Sequence, residues 1–327
     1  MVEPAPEGFR PSARHVALVG PTASGKSAVA LAAARHHDDV EIVSVDSMQV
    51  YRGMDVGTAK PSPAEQAAVP HHLIDLVDPD DDYTVARFKV DALAVLADLE
   101  RRGRRGLLVG GTGLYLQVLT DDLQIPGRYP EARRQLEDDP DTAALHDRLA
   151  ALDPVAAARI DPANRRRVVR ALEVTVGSGR PFSSYGPGLV GYPPAPFPVL
   201  GLAVERPLLD ARIARRYDDQ VAAGFLDEVQ ALLDRPAGLS RTARQALGYA
   251  ELLDHLERAT PLDEALATAV VRTRRFARRQ QRWFGRDPRI EWVAVDERGE
   301  GDRPVGGATV PESHRKAFGR LNAILGD

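Results

Sequence analysis

Apolar residues along this chain follow two rhythms. Short, nearly unbroken apolar runs recur at "HVALVG" (15–20), "VEIVSVDS" (40–47), "GLLVGG" (106–111) and "PVLGLAVE" (198–205). They are rich in β-branched residues and end in Gly, Ser or an acid, as buried strands do. Between them lie stretches of helical character, such as "SAVALAAARHH" after the first run. Strands alternating with helices predict an α/β fold, a parallel sheet with flanking helices. From Asp121 to about Pro198 the rhythm changes to charged helical segments, "PEARRQLEDD" and "TAALHDRLAALDPVAAARI", and a Gly-, Pro- and Ser-rich tract leads back to the fourth strand. The predicted organisation is a flexible leader (1–13), the first part of a core (14–120), a helical insertion (121–197), the second part of the core with a basic helix at its end (198–295), and a peripheral C-terminal segment (296–327).

Composition narrows the function classes. A chain of 327 residues can bury a full α/β core and carry a second, smaller unit. A net charge of −4 with 28% charged residues gives no overall pull toward polyanions, so a nucleic-acid site has to be a local patch. The absence of cysteine excludes disulfides, thiolate zinc sites and a cysteine nucleophile. No apolar segment of about 18 residues appears, and "MVEPAPEGFRPSAR" lacks the apolar stretch of a signal peptide. The expectation is a cytoplasmic protein with no membrane association.

Chemistry concentrates first in "GPTASGKS". Gly20, Pro21, Thr22, Ala23, Ser24, Gly25, Lys26 and Ser27 form a Gly-x-x-x-x-Gly-Lys-Ser loop between a predicted strand and helix, the context a phosphate-binding P-loop requires. Two glycines let amides converge on an anion, the helix start adds positive potential, Lys26 adds a mobile charge, and the Ser27 hydroxyl can ligate Mg²⁺. An ordinary Gly-rich turn would not need every one of these positions. The second run ends in Asp46, whereas "LLVGGTG" ends in Gly110, Gly111, Thr112 and Gly113 with no acid. Asp46 is therefore open to three roles: a metal-associated carboxylate, a substrate binder, or a base aimed at an acceptor beside the loop. His71 and His72, adjacent and without further ligands at a zinc spacing, are expected to be structural.

The strings "GPTASGKS", "VDSMQVYRGMDVGTAKPS", "HHLIDLVDP", "LLVGGTGLYL", "DPANRRRVVRALEV", "RIARRYDDQVAAGFLDEV", "ARQALGYAEL" and "TRRFARRQQRWF" follow one another in an order that resembles the bacterial tRNA dimethylallyltransferase family. The resemblance implies a P-loop NTPase-like core that transfers a dimethylallyl group from dimethylallyl diphosphate to N6 of the adenosine 3′ to the anticodon, using Mg²⁺. By that resemblance Asp46 is the base, Thr112 lies near the acceptor, and Arg216 joins the P-loop on the diphosphate. Ser27 stands where threonine is commoner, and both offer a metal a hydroxyl. Spacing alone leaves Arg212, Arg215 and Arg216 as a charged helix face; the motif singles out Arg216.

Two basic segments suit an RNA substrate, whose target base must be unstacked while its phosphates are held. In "VRTRRFARRQQRWFGR", Arg275, Arg278, Arg279 and Arg282 share neighbouring helix faces with Phe276 and Trp283. Core anchoring is the commoner fate of such aromatics and is the expectation for Phe276. The resemblance places Ser47, Met48 and Gln49, together with Asp46 and Thr112, around the target adenosine. It places Arg133, Arg166, Arg167, Arg170, Arg244 and Tyr249 against tRNA, with the insertion facing it; the basic helix is expected to add Arg278, Arg279, Gln280 and Trp283. A monomer is expected. Three alternatives stay in view: a free-adenylate prenyltransferase, which would not need the basic helix; a small-molecule P-loop kinase; and a non-catalytic RNA-binding protein with a vestigial loop.

Overall fold

A computed structural model describes residues 3–295, 310 and 312–326. Its sheet has six strands, β1 (Val16–Val19), β2 (Val40–Val45), β3 (His71–His72), β4 (Arg105–Gly110), β5 (Val199–Ala203) and β6 (Ile290–Ala294), in the order β3-β2-β4-β1-β5-β6. All pairings are parallel. β1 and β2 are buried along their whole length, as strands with both faces covered must be, which is why β1 reads as a continuous apolar run and β2 as one broken only by Glu41 and Ser44, both buried with hydrogen-bond partners. β3 and β6 go beyond the four strands that the apolar runs predict: they lie at the sheet edges, β3 with only two residues and β6 largely exposed, so neither leaves a strong apolar run.

The register explains how the site is built. Val19 lies opposite Gly110 on one side and Gly201 on the other, and Val45 also pairs with Gly110. The residues that follow, Gly20, Asp46 and Gly111-Thr112, therefore leave the sheet at one level. From β1 the chain crosses to β2, beyond β4, and after β4 it returns on the other side of β1 as β5. Such a reversal beside a central strand opens a crevice at the carboxyl ends of the strands.

The chain divides into a unit of residues 1–120 and 194–327 and a second unit of residues 121–193. The second is helical, with helices at Pro130–Glu137, Thr142–Leu152, Pro154–Arg159 and Arg165–Ser178. It has its own core of Leu136, Leu145, Leu149, Val168 and Leu172. Asp141, Asp153 and Asn164 cap the last three of these helices by accepting backbone N–H groups, each cap offsetting orphan donors at a helix start.

Two boundary expectations need correction. Part of the leader is fastened: Phe9 packs on the main core, Pro11 is buried and the Ser12 amide donates to Glu100 at 2.8 Å. The C-terminal segment is not peripheral where it is described. Ala317, Leu321 and Leu325, on one face of the helix Arg315–Gly326, are buried in the main core, and the Arg105 guanidinium donates to the Leu325 carbonyl. The "GDRPVGG" stretch lies outside the described residues. His71 and His72 make structural contacts, His71 to the Val69 carbonyl at 2.7 Å and His72 to Glu41 at 2.7 Å. Among the described residues no helix is long and apolar enough to cross a membrane.

Candidate active site

The loop Gly20–Ser27 joins β1 to the helix Lys26–His36. Ala23 adopts a left-handed conformation (φ 60°) and so does Gly25 (φ 88°), a backbone course that turns successive amides toward one side as an anion nest does. The Ser24 amide is used inside the loop, on Pro21 (3.3 Å), and that of Thr22 goes to Gln280 Oε1 (2.9 Å). Among the described residues the amides of Ala23, Gly25, Lys26 and Ser27 meet no protein acceptor. These four, rather than the whole loop, are available to an anion. Lys26 Nζ donates to the Pro21 carbonyl at 2.7 Å. Burial pushes its pKa down to about 8, with Asp46 opposing the shift and Arg216 adding to it. Ser27 is exposed on the first turn of the helix.

Asp46 follows β2 and is half-buried. Its Oδ1 accepts the Met48 amide at 2.8 Å, which fixes the carboxylate and leaves Oδ2 for an acceptor's proton. Thr112 joins the two strand ends: its Oγ1 accepts the Ser47 amide (3.1 Å) and its own amide donates to Val45 (3.2 Å). Gln49 is occupied locally, accepting from Ser44 Oγ (2.9 Å) and donating to the Ala59 carbonyl (3.2 Å). Met48 packs partly on the core. The segment 46–49 thus has a braced frame around one uncommitted carboxylate oxygen.

Arg216 comes from the helix Arg206–Ala222. Its guanidinium donates to Thr22 Oγ1 (3.0 Å) and to the Gly57 carbonyl (3.3 Å). Burial lowers its pKa, while Tyr217 and Asp46 pull the other way. A buried guanidinium still carries its charge, so the site gathers two desolvated cations. Sequence reasoning missed the residue that shapes Arg216's surroundings. Glu228 accepts the amides of Asp55 (2.8 Å), Val56 (2.7 Å) and Gly57 (3.2 Å) and the Tyr249 hydroxyl (2.6 Å). This carboxylate fastens the turn whose Gly57 carbonyl faces Arg216. Its signal in the sequence is the "MDVGTAK" string itself, a turn whose partner lies far along the chain.

The expected RNA contacts separate into several groups. Tyr249 is 1% exposed with its hydroxyl on Glu228, so its side chain is not presented for the tRNA contact that the resemblance implied. Gln280 is also buried: its Nε2 donates to Gly111 (2.9 Å) while Oε1 accepts the Thr22 amide. It is a brace between the P-loop and the loop after β4, not an RNA contact. In the insertion, the buried Glu173 pairs with Arg170 (2.7 Å) and Arg133 (3.3 Å), and Arg244 pairs with Glu257. These three charges are already partly neutralised. Arg166 and Arg167 are exposed and have no acidic partner among the described residues.

The helix Leu262–Phe284 presents Arg275, Arg279 and Arg282 as an exposed stripe at helical spacing. Phe276 is half-buried but outside the core, with the Arg279 guanidinium 5.6 Å from its ring centroid. Trp283, not Phe276, is the aromatic that packs on the core. A Cβ on Gly113 would fall 2.2 Å from the Trp283 ring, so this glycine lets the indole lie against the loop that carries Thr112. Arg278 is half-buried, with no acceptor for its Nε. An amide nest, two partly buried cations, a half-free carboxylate and an aromatic wall therefore converge around one crevice.

The profile of the IPP transferase family matches residues 49–287, and that of an isopentenyl transferase family matches residues 14–75. A tRNA dimethylallyltransferase from Kineococcus radiotolerans is 49% identical over 292 residues, spanning 87% of this chain and 92% of its own length. Its counterpart in Bifidobacterium longum is 47% identical over 287 residues, 86% of each chain. The crystal structure of a full-length tRNA isopentenylpyrophosphate transferase from Bacillus halodurans superposes with a TM-score of 0.66 at 36% identity, covering 96% of both chains.

Proposed function

This chain belongs to the tRNA dimethylallyltransferase family, and from that premise we propose how its own residues carry out the transfer of a dimethylallyl group to tRNA. The observation that carries the assignment of roles is the common level at which β1, β2 and β4 end, which brings the P-loop, Asp46 and Thr112 to one crevice. The donor is dimethylallyl diphosphate and the acceptor N6 of the adenosine 3′ to the anticodon. The allylic carbon–oxygen bond breaks, a carbon–nitrogen bond forms, diphosphate leaves, and the N6 proton passes to Asp46.

Charge develops on the leaving group, so donors arranged beforehand stabilise it most effectively. The amides of Ala23, Gly25, Lys26 and Ser27, the Lys26 ammonium and the Arg216 guanidinium supply that arrangement. The exocyclic nitrogen is a weak nucleophile and needs a carboxylate within reach; Asp46, held at Oδ1 by the Met48 amide, offers the other oxygen. Thr112, tied to Ser47, lies where it can orient the acceptor. Ser27 would hold Mg²⁺ with diphosphate oxygens and water, in keeping with an exposed hydroxyl and with magnesium's preference for few protein ligands. When bound, the ion would neutralise leaving-group charge. Trp283 gives the crevice a flat wall suited to an unstacked base. We place this activity in the cytoplasm and assign it to a monomer.

The direct test is incubation with Mg²⁺ and radiolabelled dimethylallyl diphosphate, with unmodified tRNA and AMP offered together. Label in tRNA alone is expected. Label in AMP alone would favour a nucleotide prenyltransferase, and absence from both, with ATP turnover, would favour a kinase.

The Lys26 shift fixes a pH dependence. Its charged form declines as pH rises through about 8 in the free enzyme, and a bound diphosphate restores the charge. The apparent second-order rate constant for dimethylallyl diphosphate is therefore expected to fall above about pH 8, while the rate at saturating donor stays nearly flat. Initial-rate profiles from pH 6.5 to 9.5 (about the range that brackets that ionisation) check this; parallel loss in both parameters would contradict it.

Salt dependence should distinguish the insertion's arginines. Arg166→Ala or Arg167→Ala is expected to lower the slope of log affinity against log salt by about 1 for each phosphate that is no longer gripped. Arg133→Ala should change it less, because Glu173 already faces that charge. Filter binding of tRNA across a salt series measures all three.

A further inference from the structure

The C-terminal segment inserts one polar side chain into the back of the P-loop. His314 is 3% exposed, and its Nε2 lies 2.8 Å from the Ser24 carbonyl, to which it donates. Its Nδ1 is 2.9 Å from Ser313 Oγ. The imidazole rests directly on Gly25: a Cβ there would fall 2.1 Å from Nε2. The ring can approach because the residue has no side chain, and the left-handed φ of 88° at the same position makes glycine doubly required. His314 is held in turn by the helix that follows it, whose Ala317, Leu321 and Leu325 are buried in the main core. The IPP transferase profile ends at residue 287, so the imidazole comes from outside the matched family region.

We infer that His314 is a positioning residue for the diphosphate site: by holding the Ser24 carbonyl backward, it aims the Gly25 amide forward at the anion. In a planar trans peptide the carbonyl of one residue and the amide of the next point in opposite directions. A donor that captures the Ser24 carbonyl on one side of the loop therefore fixes the Gly25 N–H on the other. Gly25 needs such a restraint more than other residues do, since glycine explores both signs of φ readily. Its amide is among the four in the loop with no protein acceptor among the described residues. Without the imidazole the Ser24–Gly25 peptide is free to rotate, and part of the free enzyme's population would present the carbonyl, which repels an anion, in place of the amide. The inference rests on the reading of the loop as a diphosphate site.

The test compares full-length wild type with His314→Ala, His314→Gln and His314→Asn. Glutamine can place an amide nitrogen near the position of Nε2, whereas asparagine is too short to reach it. Binding of inorganic diphosphate with Mg²⁺ is measured by calorimetry, tRNA affinity by filter binding, and folding by thermal melts. The alanine and asparagine variants are expected to lose about tenfold in diphosphate affinity, the scale of one hydrogen bond to a charged site. Glutamine should recover most of it, and tRNA affinity should be unchanged in all three. Equal diphosphate affinity in wild type and His314→Ala would overturn the positioning role. A loss that glutamine fails to recover in a fully folded variant would do the same. Failure of the wild type itself to bind diphosphate would instead overturn the reading of the site, and the inference with it.

Discussion

Replacing Asp46 by alanine is expected to reduce prenyl transfer by about 10²–10⁴-fold, the usual contribution of a positioned general base, while tRNA affinity stays within about twofold by the same reasoning, since in the proposed mechanism the carboxylate takes a proton and grips no phosphate. Asp46→Asn sharpens the test. An asparagine carbonyl can keep the bond from the Met48 amide that now fixes Asp46 Oδ1, so the frame of residues 46–49 survives and only the proton acceptor is removed. Single-turnover rates with saturating enzyme separate this from a binding defect. Normal turnover by the asparagine variant would remove Asp46 as base. A rate loss matched by an equal loss of tRNA affinity would recast it as a substrate binder, one of the roles the sequence left open.

The second large effect concerns Arg216. Its guanidinium is partly buried and reaches Thr22 Oγ1 and the Gly57 carbonyl with different nitrogens, a fork that lysine cannot reproduce. Arg216→Lys and Arg216→Ala are both expected to slow transfer by about 10²–10³-fold, comparable with removal of a preorganised donor to a developing anion. Inhibition by product diphosphate should weaken in parallel. Glu228→Gln should give a smaller loss of the same kind, because it retains one acceptor oxygen for the amides of the 55–57 turn but cannot serve all four donors now gathered on the carboxylate. If Arg216→Lys keeps full activity, the fork is not what the leaving group needs. If Glu228→Gln affects melting temperature alone, the turn has no part in orienting Arg216.

The parts of the site that can be read from the sequence share a physical property: their backbone course and their chemistry are written in the same few residues. The P-loop carries its glycines, lysine and hydroxyl within one turn, and Asp46 sits at the end of a largely apolar run. β3 and β6 are not legible because a two-residue strand and a largely exposed edge strand impose little apolar pattern. Gln280 and Tyr249 mislead for another reason. Both belong to strings that are strongly marked for this family, but a motif records that a residue is required without recording whether ligand or fold requires it. Burial decides between these, and burial depends on partners far along the chain: Gln280 meets Thr22 and Gly111. Arg133 and Arg170 show the same limit, since the carboxylate that offsets them, Glu173, sits inside a helix where its charge reads as surface.

The strand order also has a consequence for synthesis on the ribosome. β1, which delivers the P-loop, has β4 on one side and β5 on the other, and β5 emerges only after the whole insertion of residues 121–193 has been made. His314, against Gly25, emerges later still. Domains tend to assemble as units while the chain is extended, so the insertion, with its separate core, can settle before the sheet that precedes it is finished. A nascent chain stalled ahead of β5 would hold the complete Gly20–Ser27 sequence and yet lack the support that gives it affinity, which makes substrate competence a property acquired near chain completion.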